Sequence, residues 1–209
     1  MKVLVVYYSL YGHVRTLAQA VVEGVAAVPG AEPVLRRVQE FPDIEREVIP
    51  RSKHAQAVWD LHKEIPICTL DDLKAADGIL FGTPTRFGNM AAQMKRLFDS
   101  AVSLWLEGAL EGKPAGIFVS TATTHGGQET TPFTMMAPLL HLGLIIVGVP
   151  YSIPGMLHTE GRGGTPYASS TVAGSRNELS PFTEDLEIAR ALGKRVAEVA
   201  IKLRGGQLA

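Results

Sequence analysis

"KVLVVYYSLYGHVRTLAQAVVEGV", residues 2–25, decides the fold. Lys2 to Tyr8 is largely β-branched or aromatic and reads as a buried strand, since such side chains suit a sheet covered on both faces. Ser9-Leu10-Tyr11-Gly12-His13 is a polar, glycine-containing turn. Beyond it Val14, Leu17, Ala18, Val21, Val22 and Val25 recur at spacings of three and four, which makes one apolar helical stripe. The next extended run, Glu32 to Val38, completes a βαβ unit.

The same order recurs downstream, and repetition of strand, loop and helix specifies a parallel α/β sheet. Thr69-Leu70-Asp71-Asp72 is a capping box that predicts a short helix before a third strand at Gly78 to Phe81. That strand opens into the loop Thr83 to Asn89 and then into a helix with the stripe Met90, Met94, Leu97 and Ala101. A fourth strand, Ala115 to Ser120, runs into Thr121 to Gln128 and a helix around Thr131 to Leu142; a fifth strand spans Leu144 to Val149. Ser180-Pro181 reads as the N-cap and first residue of a long helix whose Leu186, Ala189, Gly193, Val196, Ala197 and Ala200 face the sheet. Gln39 to Leu70, polar and irregular, and Pro150 to Ser180, rich in Gly, Ser, Thr and Pro, are insertions of a length that commonly builds a site or an interface.

With 209 residues, 46% of them hydrophobic and 20% charged, the chain is expected to form one domain over 1–209 with a substantial core. Its 20 basic and 21 acidic residues leave a formal charge of -1 with no basic block longer than a pair, which argues against a nucleic-acid surface. One cysteine, Cys68, excludes an internal disulfide, and no Cys/His spacing forms a zinc site, so no metal is expected and a reducing, cytoplasmic compartment suits the chain. Cys68 itself reads as a small apolar residue. The first residues mimic a signal peptide, but the apolar run is too short and meets Ser9, Gly12 and His13 without a cleavage site. Thr130 to Leu157 carries no Asp, Glu, Lys or Arg, yet its prolines and glycines divide it into pieces shorter than a bilayer requires, so no membrane segment is expected.

In an open parallel sheet, ligands bind beyond the carboxyl ends of the strands, so the loops after strands one, three and four should meet. The first offers hydroxyls, Gly12 and the start of a helix that can hold an anion. It lacks the lysine of a Walker loop and the glycines of a dinucleotide fingerprint, which suits one terminal phosphate; an ordinary strand-to-helix turn is the alternative. In the second loop Pro84 stiffens the chain, Gly88 permits unusual backbone angles, and Phe87 sits beside Asn89. It suits the edge of a flat heteroaromatic ligand, or else is a capped turn with Phe87 folded into the core. The third, with Thr121, Thr123, Thr124, Gly126 and Gly127, suits a polyhydroxyl chain or a ring edge.

These residues resemble a known family, the flavodoxin-like NAD(P)H:quinone oxidoreductases of the WrbA type. "KVLVVYYSLYGHV", "FGTPTRFGNMAAQMKRLFD", "GKPAGIFVSTATTHGGQETT", "HLGLIIVGVPY" and "GGTPYASSTVAG" carry the resemblance in order over nearly the whole chain. It implies a flavodoxin-like three-layer α/β sandwich, a five-stranded parallel sheet in order 2-1-3-4-5 with insertions, FMN at the strand ends and a homotetramer. By the same resemblance Ser9, Tyr11, Gly12, His13 and Val14 hold the FMN phosphate. Pro84, Thr85, Arg86, Phe87, Gly88 and Asn89 contact the isoalloxazine, and Thr121, Ala122, Thr123, Thr124, His125, Gly126 and Gly127 the ring edge and ribityl side. His141 reaches the flavin pocket, Trp105 and Tyr151 border it with Trp105 in the quinone site, and Tyr11 lies where the nicotinamide cofactor binds. Many relatives have a more glycine-rich third loop, whereas Thr123 and His125 here can narrow the pocket or add a contact.

The implied reaction is a two-step exchange, in which NADH or NADPH gives hydride to the flavin and leaves, and a quinone is then reduced by two electrons in the same space. Arg86 is the candidate cation for the reduced flavin, with a surface ion pair as its alternative. His141 is a candidate proton donor in quinol formation; read locally, Leu139-Leu140-His141-Leu142 is a buried histidine bonded to backbone. Two rivals are an FMN electron carrier of flavodoxin type and a protein-interaction module. The near-neutral charge and long insertions speak against the first. Neither a basic recognition helix nor a compelling exposed apolar motif supports the second.

Overall fold

The computed structural model describes residues 1–159 and 163–205. In chain order it forms β1 (Lys2–Tyr7), α1 (His13–Ala26), β2 (Glu32–Arg37), α2 (Lys53–His62), α3 (Leu70–Ala75), β3 (Gly78–Arg86), β4 (Asn89–Met90), α4 (Ala92–Ser100), α5 (Val102–Leu106), β5 (Pro114–Thr121), α6 (Thr130–His141), β6 (Ile145–Ile146), β7 (Ser169–Val172) and α7 (Thr183–Gly205). β1 lies between β2 and β3 and parallel to both, with Val5 beside Leu35 on one flank and Leu80 on the other. β5 runs parallel to β3, so the order is β2-β1-β3-β5-β6, the 2-1-3-4-5 arrangement of the strand positions.

The fifth position is shared. β6 pairs with Pro114 and Ala115, while β7, supplied by the second insertion, pairs in parallel with Phe118 to Thr121. The expected strand Leu144 to Val149 is thus cut to two residues. The cause is the returning chain: the Val149 N–H donates to the Pro166 carbonyl at 3.0 Å, and a Cβ on Gly148 would stand 2.3 Å from that oxygen.

Alternation along the strands divides the core in two. Leu4, Val6, Ile79, Phe81, Ile117 and Val119 face α4 and α6, which contribute Met94, Leu97 and Leu139. Val3, Val5, Leu80 and Phe118 face α1 and α7, which contribute Leu17, Val21, Leu192 and Val196. Each such side chain, once buried, contributes roughly 1.5–3 kcal/mol. α1 and α7 approach so closely that a Cβ on Gly24 would lie 1.9 Å from the Arg190 carbonyl oxygen, and one on Gly193 2.2 Å from that of Val21.

The capping box forms as read: the Asp72 N–H donates to the Thr69 hydroxyl at 3.1 Å, and the Asp72 carboxylate accepts the Thr69 N–H at 2.9 Å. α7 starts later than expected, with Phe182 rather than Ser180 at its cap. The Phe182 carbonyl accepts the Leu186 N–H, and its own N–H donates to Asp185 at 3.1 Å. Asp185 is buried and also accepts the Gly163 N–H and the Thr171 hydroxyl, which moors the second insertion to the helix start. Gln39 to Leu70 is more regular than its composition suggests. It holds a π turn (Ile44–Val48), a 3-10 turn (Ile49–Arg51) and α2, whose N-cap Ser52 accepts the Ala55 N–H at 3.2 Å.

Candidate functional site

β1, β3 and β5 end on one side of the sheet, and there a cavity forms between the turn Ser9 to Val14, the end of β3 and the end of β5. In the first turn the Gly12 N–H donates to the Ser9 hydroxyl at 3.1 Å, and Gly12 sits at φ +92°. This bend brings α1 in with no side-chain cap, so its first-turn amides point their donors at the cavity. His13 lines the cavity, but its Nε2 lies 2.9 Å from the Leu179 carbonyl. A carbonyl only accepts, so Nε2 carries the proton. Burial holds this imidazole below its usual pKa, and its ring ties the second insertion over the start of α1.

The end of β3 supplies Pro84, Thr85 and Arg86. The Thr85 hydroxyl accepts the Gly88 N–H at 3.2 Å and the Thr131 hydroxyl at 2.8 Å, which joins this loop to the start of α6. β3 turns into β4 through Phe87 and Gly88 at φ +53° and +77°, a two-residue hairpin turn with both central residues left-handed. The Phe87 ring is wholly exposed, which overturns its reading as a core residue. Arg86 donates to the Thr85 carbonyl at 2.9 Å and forms no ion pair among the described residues, so the surface-pair alternative is not realised.

From β5 come Ser120, Thr121 and Ala122. The Thr121 hydroxyl donates to the Thr123 carbonyl at 2.8 Å, and the Gly126 N–H donates to the same oxygen at 3.1 Å. The loop therefore folds back: Thr123, Thr124 and His125 stand exposed at the rim, and Gly127, at φ +120°, packs where a Cβ would lie 2.8 Å from the Thr85 hydroxyl. Leu10, Ala173 and Asn177 also line the cavity and were not singled out by the sequence. Asn177 at φ +60° closes the turn after Gly174, and only the Gly-Ser-Arg-Asn composition hinted at it. The donor set fits FMN: uncapped helix amides for a phosphate, hydroxyls for a ribityl chain, and a guanidinium beside an apolar wall for a ring edge. Among the described residues no carboxylate lines the cavity.

His141, Trp105 and Tyr151 are placed elsewhere. His141 and Trp105 line a separate apolar groove of about 560 Å3 between α4, α5 and α6, and share no wall with the strand-end cavity. Thr131 touches Thr85 at the start of α6; His141, ten residues on, is about 15 Å further along the helix at 1.5 Å per residue. His141 is exposed, so the buried, backbone-bonded reading does not hold. Tyr151 is exposed in the second insertion and lines neither cavity.

Comparison with known proteins agrees with this geometry. Residues 1–155 match the model of the family described as NADPH-dependent FMN reductase. A protein of Solidesulfovibrio magneticus named NAD(P)H dehydrogenase (quinone) is 49% identical over 205 residues, covering 98% of this chain and 100% of the relative. One of the same name from Geobacter sulfurreducens is 49% identical over 211 residues, with the same coverage of both. Among solved structures, a flavodoxin, WrbA-like protein from Agrobacterium tumefaciens superposes with a TM-score of 0.65 at 26% identity, covering 96% of this chain and 98% of that one.

Proposed function

The chain belongs to the NADPH-dependent FMN reductase family, in its WrbA-type branch, and from that premise we propose how its residues serve the reaction. The protein is a flavodoxin-like, FMN-dependent NAD(P)H:quinone oxidoreductase: NAD(P)H, a proton and a quinone give NAD(P)+ and a quinol. FMN, when bound, would supply the two-electron chemistry that links the nicotinamide donor to the quinone.

The observation that carries the site assignment is the convergence of an uncapped α1 N-terminus, the hydroxyls of Ser9 and Thr121, and Arg86, which forms no ion pair among the described residues, in one cavity. The amides of His13 and Val14, with Ser9 and Gly12, hold the phosphate. Pro84, Thr85 and Arg86 orient the ring, and the Arg86 guanidinium lowers the energy of negative charge at its edge, where a fixed cation is worth more than water. Phe87, Gly88 and Asn89 extend that edge, and the loop from Thr121 to Gly127 encloses the ribityl side. Tyr11 receives the nicotinamide, its ring backed by His54 at a centroid distance of 6.3 Å.

His141 and Trp105 serve the reaction from a neighbouring subunit of a homotetramer. Their groove is apolar, and Val102, Trp105, Leu106 and Leu140 beside it are more than half exposed, a surface that association would cover. Docked on a neighbour's strand ends, this face excludes water, and the His141 imidazole supplies the proton to the quinone oxygen. NADPH as well as NADH serves as donor, and the working compartment is the cytoplasm, where the buried Cys68, its thiol pushed up to about 12 by burial, stays inert.

Anaerobic visible spectroscopy of the FMN-loaded protein tests the reading. Addition of NADH or NADPH should bleach the flavin in proportion to the protein, and benzoquinone should restore it. A protein that holds no FMN, or whose flavin neither donor bleaches, overturns it.

A further inference from the structure

A second cavity of about 510 Å3 opens beside the first at the strand ends, and the two share Leu10 and Arg86. Its walls are of two kinds: apolar faces from Phe41, Ile44 and Met90, and the polar groups of Tyr8, Gln93, Asn89 and Lys95. Arg96 adds a guanidinium 5.8 Å from the centre of the Phe41 ring. Of these cations Lys95 pairs with Asp99, one turn further along α4, while Arg86 pairs with no carboxylate among the described residues.

One carboxylate stands behind the wall, and its bonding decides what the cavity accepts. Glu40 is 5% exposed. It accepts the Tyr8 hydroxyl at 2.8 Å, the Phe41 N–H at 2.9 Å and the Gln93 side-chain amide. Both oxygens are thus engaged inward, so the anion is screened from the cavity by its own donors, and Phe41 is fixed by the bond to its N–H. The face presented to a ligand is apolar and neutral-polar, with its positive charge at Arg86 and at Lys95 beside Asp99.

That combination suits an elongated anion with a flat, weakly polar end, joined to a group that must reach the first cavity through Arg86. A quinone has no anionic tail. The hydride donor has one, and the walls of the first cavity are already assigned to the flavin. On the premise that NAD(P)H is the donor, we propose that this second cavity holds the adenosine diphosphate end of NAD(P)H. The pyrophosphate lies on Arg86 where the cavities join, the adenine lies against Phe41 and Ile44, and Lys95 adds a second positive charge for the phosphates. The nicotinamide then extends into the first cavity, towards Tyr11. The cavity thereby becomes the site of donor recognition, while quinone selection lies elsewhere.

The probe is ADP-ribose, which carries the tail and has no nicotinamide to reduce the flavin. Its binding to FMN-loaded protein is measured by calorimetry for the wild type, Lys95→Glu and Phe41→Ala, with the flavin spectrum and melting temperature confirming that each variant is folded. The expected result is a dissociation constant at least tenfold higher in both variants. In steady-state assays with benzoquinone, the ratio of kcat/KM for NADH to that for reduced nicotinamide mononucleotide should fall at least tenfold, because the shorter donor never enters the cavity. ADP-ribose affinity within twofold of wild type in both variants, or equal losses with the two donors, overturns the assignment. Failure of the quinone-reductase reading looks different, since neither donor would then bleach the wild-type flavin.

Discussion

Phe87 holds a left-handed backbone with its ring in solvent, a conformation that a bulky L-residue adopts at a cost of about 1–2 kcal/mol. Nothing in this chain's own core compensates it, which fits a ring kept for a ligand or a neighbouring subunit. Phe87→Asn creates Asn-Gly, the favoured pair for such a turn. It should raise the urea midpoint by the equivalent of about 1 kcal/mol while weakening FMN binding; a lower midpoint would show that the turn is not strained. His62 makes the opposite point, a polar group whose burial governs pH response. It packs against Tyr7 and Trp59 with no partner for its Nδ1, and burial, with Arg37 and Arg15 nearby, holds its pKa at about 4. The folded form therefore keeps His62 neutral while the unfolded chain, with an ordinary value near 6.5, takes a proton. This contribution is complete above pH 6.5 and is lost as pH falls through 4, about 3 kcal/mol in all. Stability measured against pH should flatten across that window in His62→Phe; an unchanged slope would mean that another group is responsible. Neither behaviour could be read from sequence, because the left-handed turn at Phe87 comes from strand pairing and the isolation of His62 from the way α2 packs.

At the scale of elements, periodicity located what local pattern controls. β1, α1 and the capping box of α3 are where Val, Leu and Thr-x-x-Asp spacing put them, since each depends on neighbours within one turn or one strand. α2 was hidden by charged and polar residues, although Ala55, Val58 and His62 are spaced three and four apart and are its buried face. The start of α7 and the splitting of the fifth strand position were illegible for another reason: both are settled by Asp185 and Pro166 meeting residues distant in sequence. Helix α7 also shows where propensity yields to contact. Gly193→Ala gains about 1 kcal/mol of helix propensity, but the added Cβ meets the Val21 carbonyl and forces α1 away. A net loss of about 2 kcal/mol is expected in denaturant unfolding. A neutral or stabilising result would mean that the two helices can separate freely.

For the whole molecule, the strand-end cavity was legible because three loops of one topology must converge, whatever the details of their packing. The groove that pairs His141 with Trp105 was not, because the length of α6 carries His141 to another face, where it meets Trp105 on α5. Their place in the reaction therefore turns on assembly. Leu106→Glu puts a charge on a residue that is 73% exposed beside Trp105. Light scattering should show a smaller species that retains FMN and loses more than tenfold of its quinone turnover. A monomer with full turnover would remove any catalytic role for the groove.

The pairing of α1 with α7 has a consequence for the birth of the chain. A ribosome delivers α1 early and α7 last among the described elements, and until α7 arrives the sheet face bearing Leu80 and Phe118 is only half covered. At about 5–20 residues per second the nascent protein, once Phe118 is made, carries that apolar face unsealed for roughly four to seventeen seconds before α7 is complete. A stalled or prematurely released polypeptide is thus a client for chaperones, and synthesis rate over the second half of the message should govern soluble yield more strongly than any surface substitution.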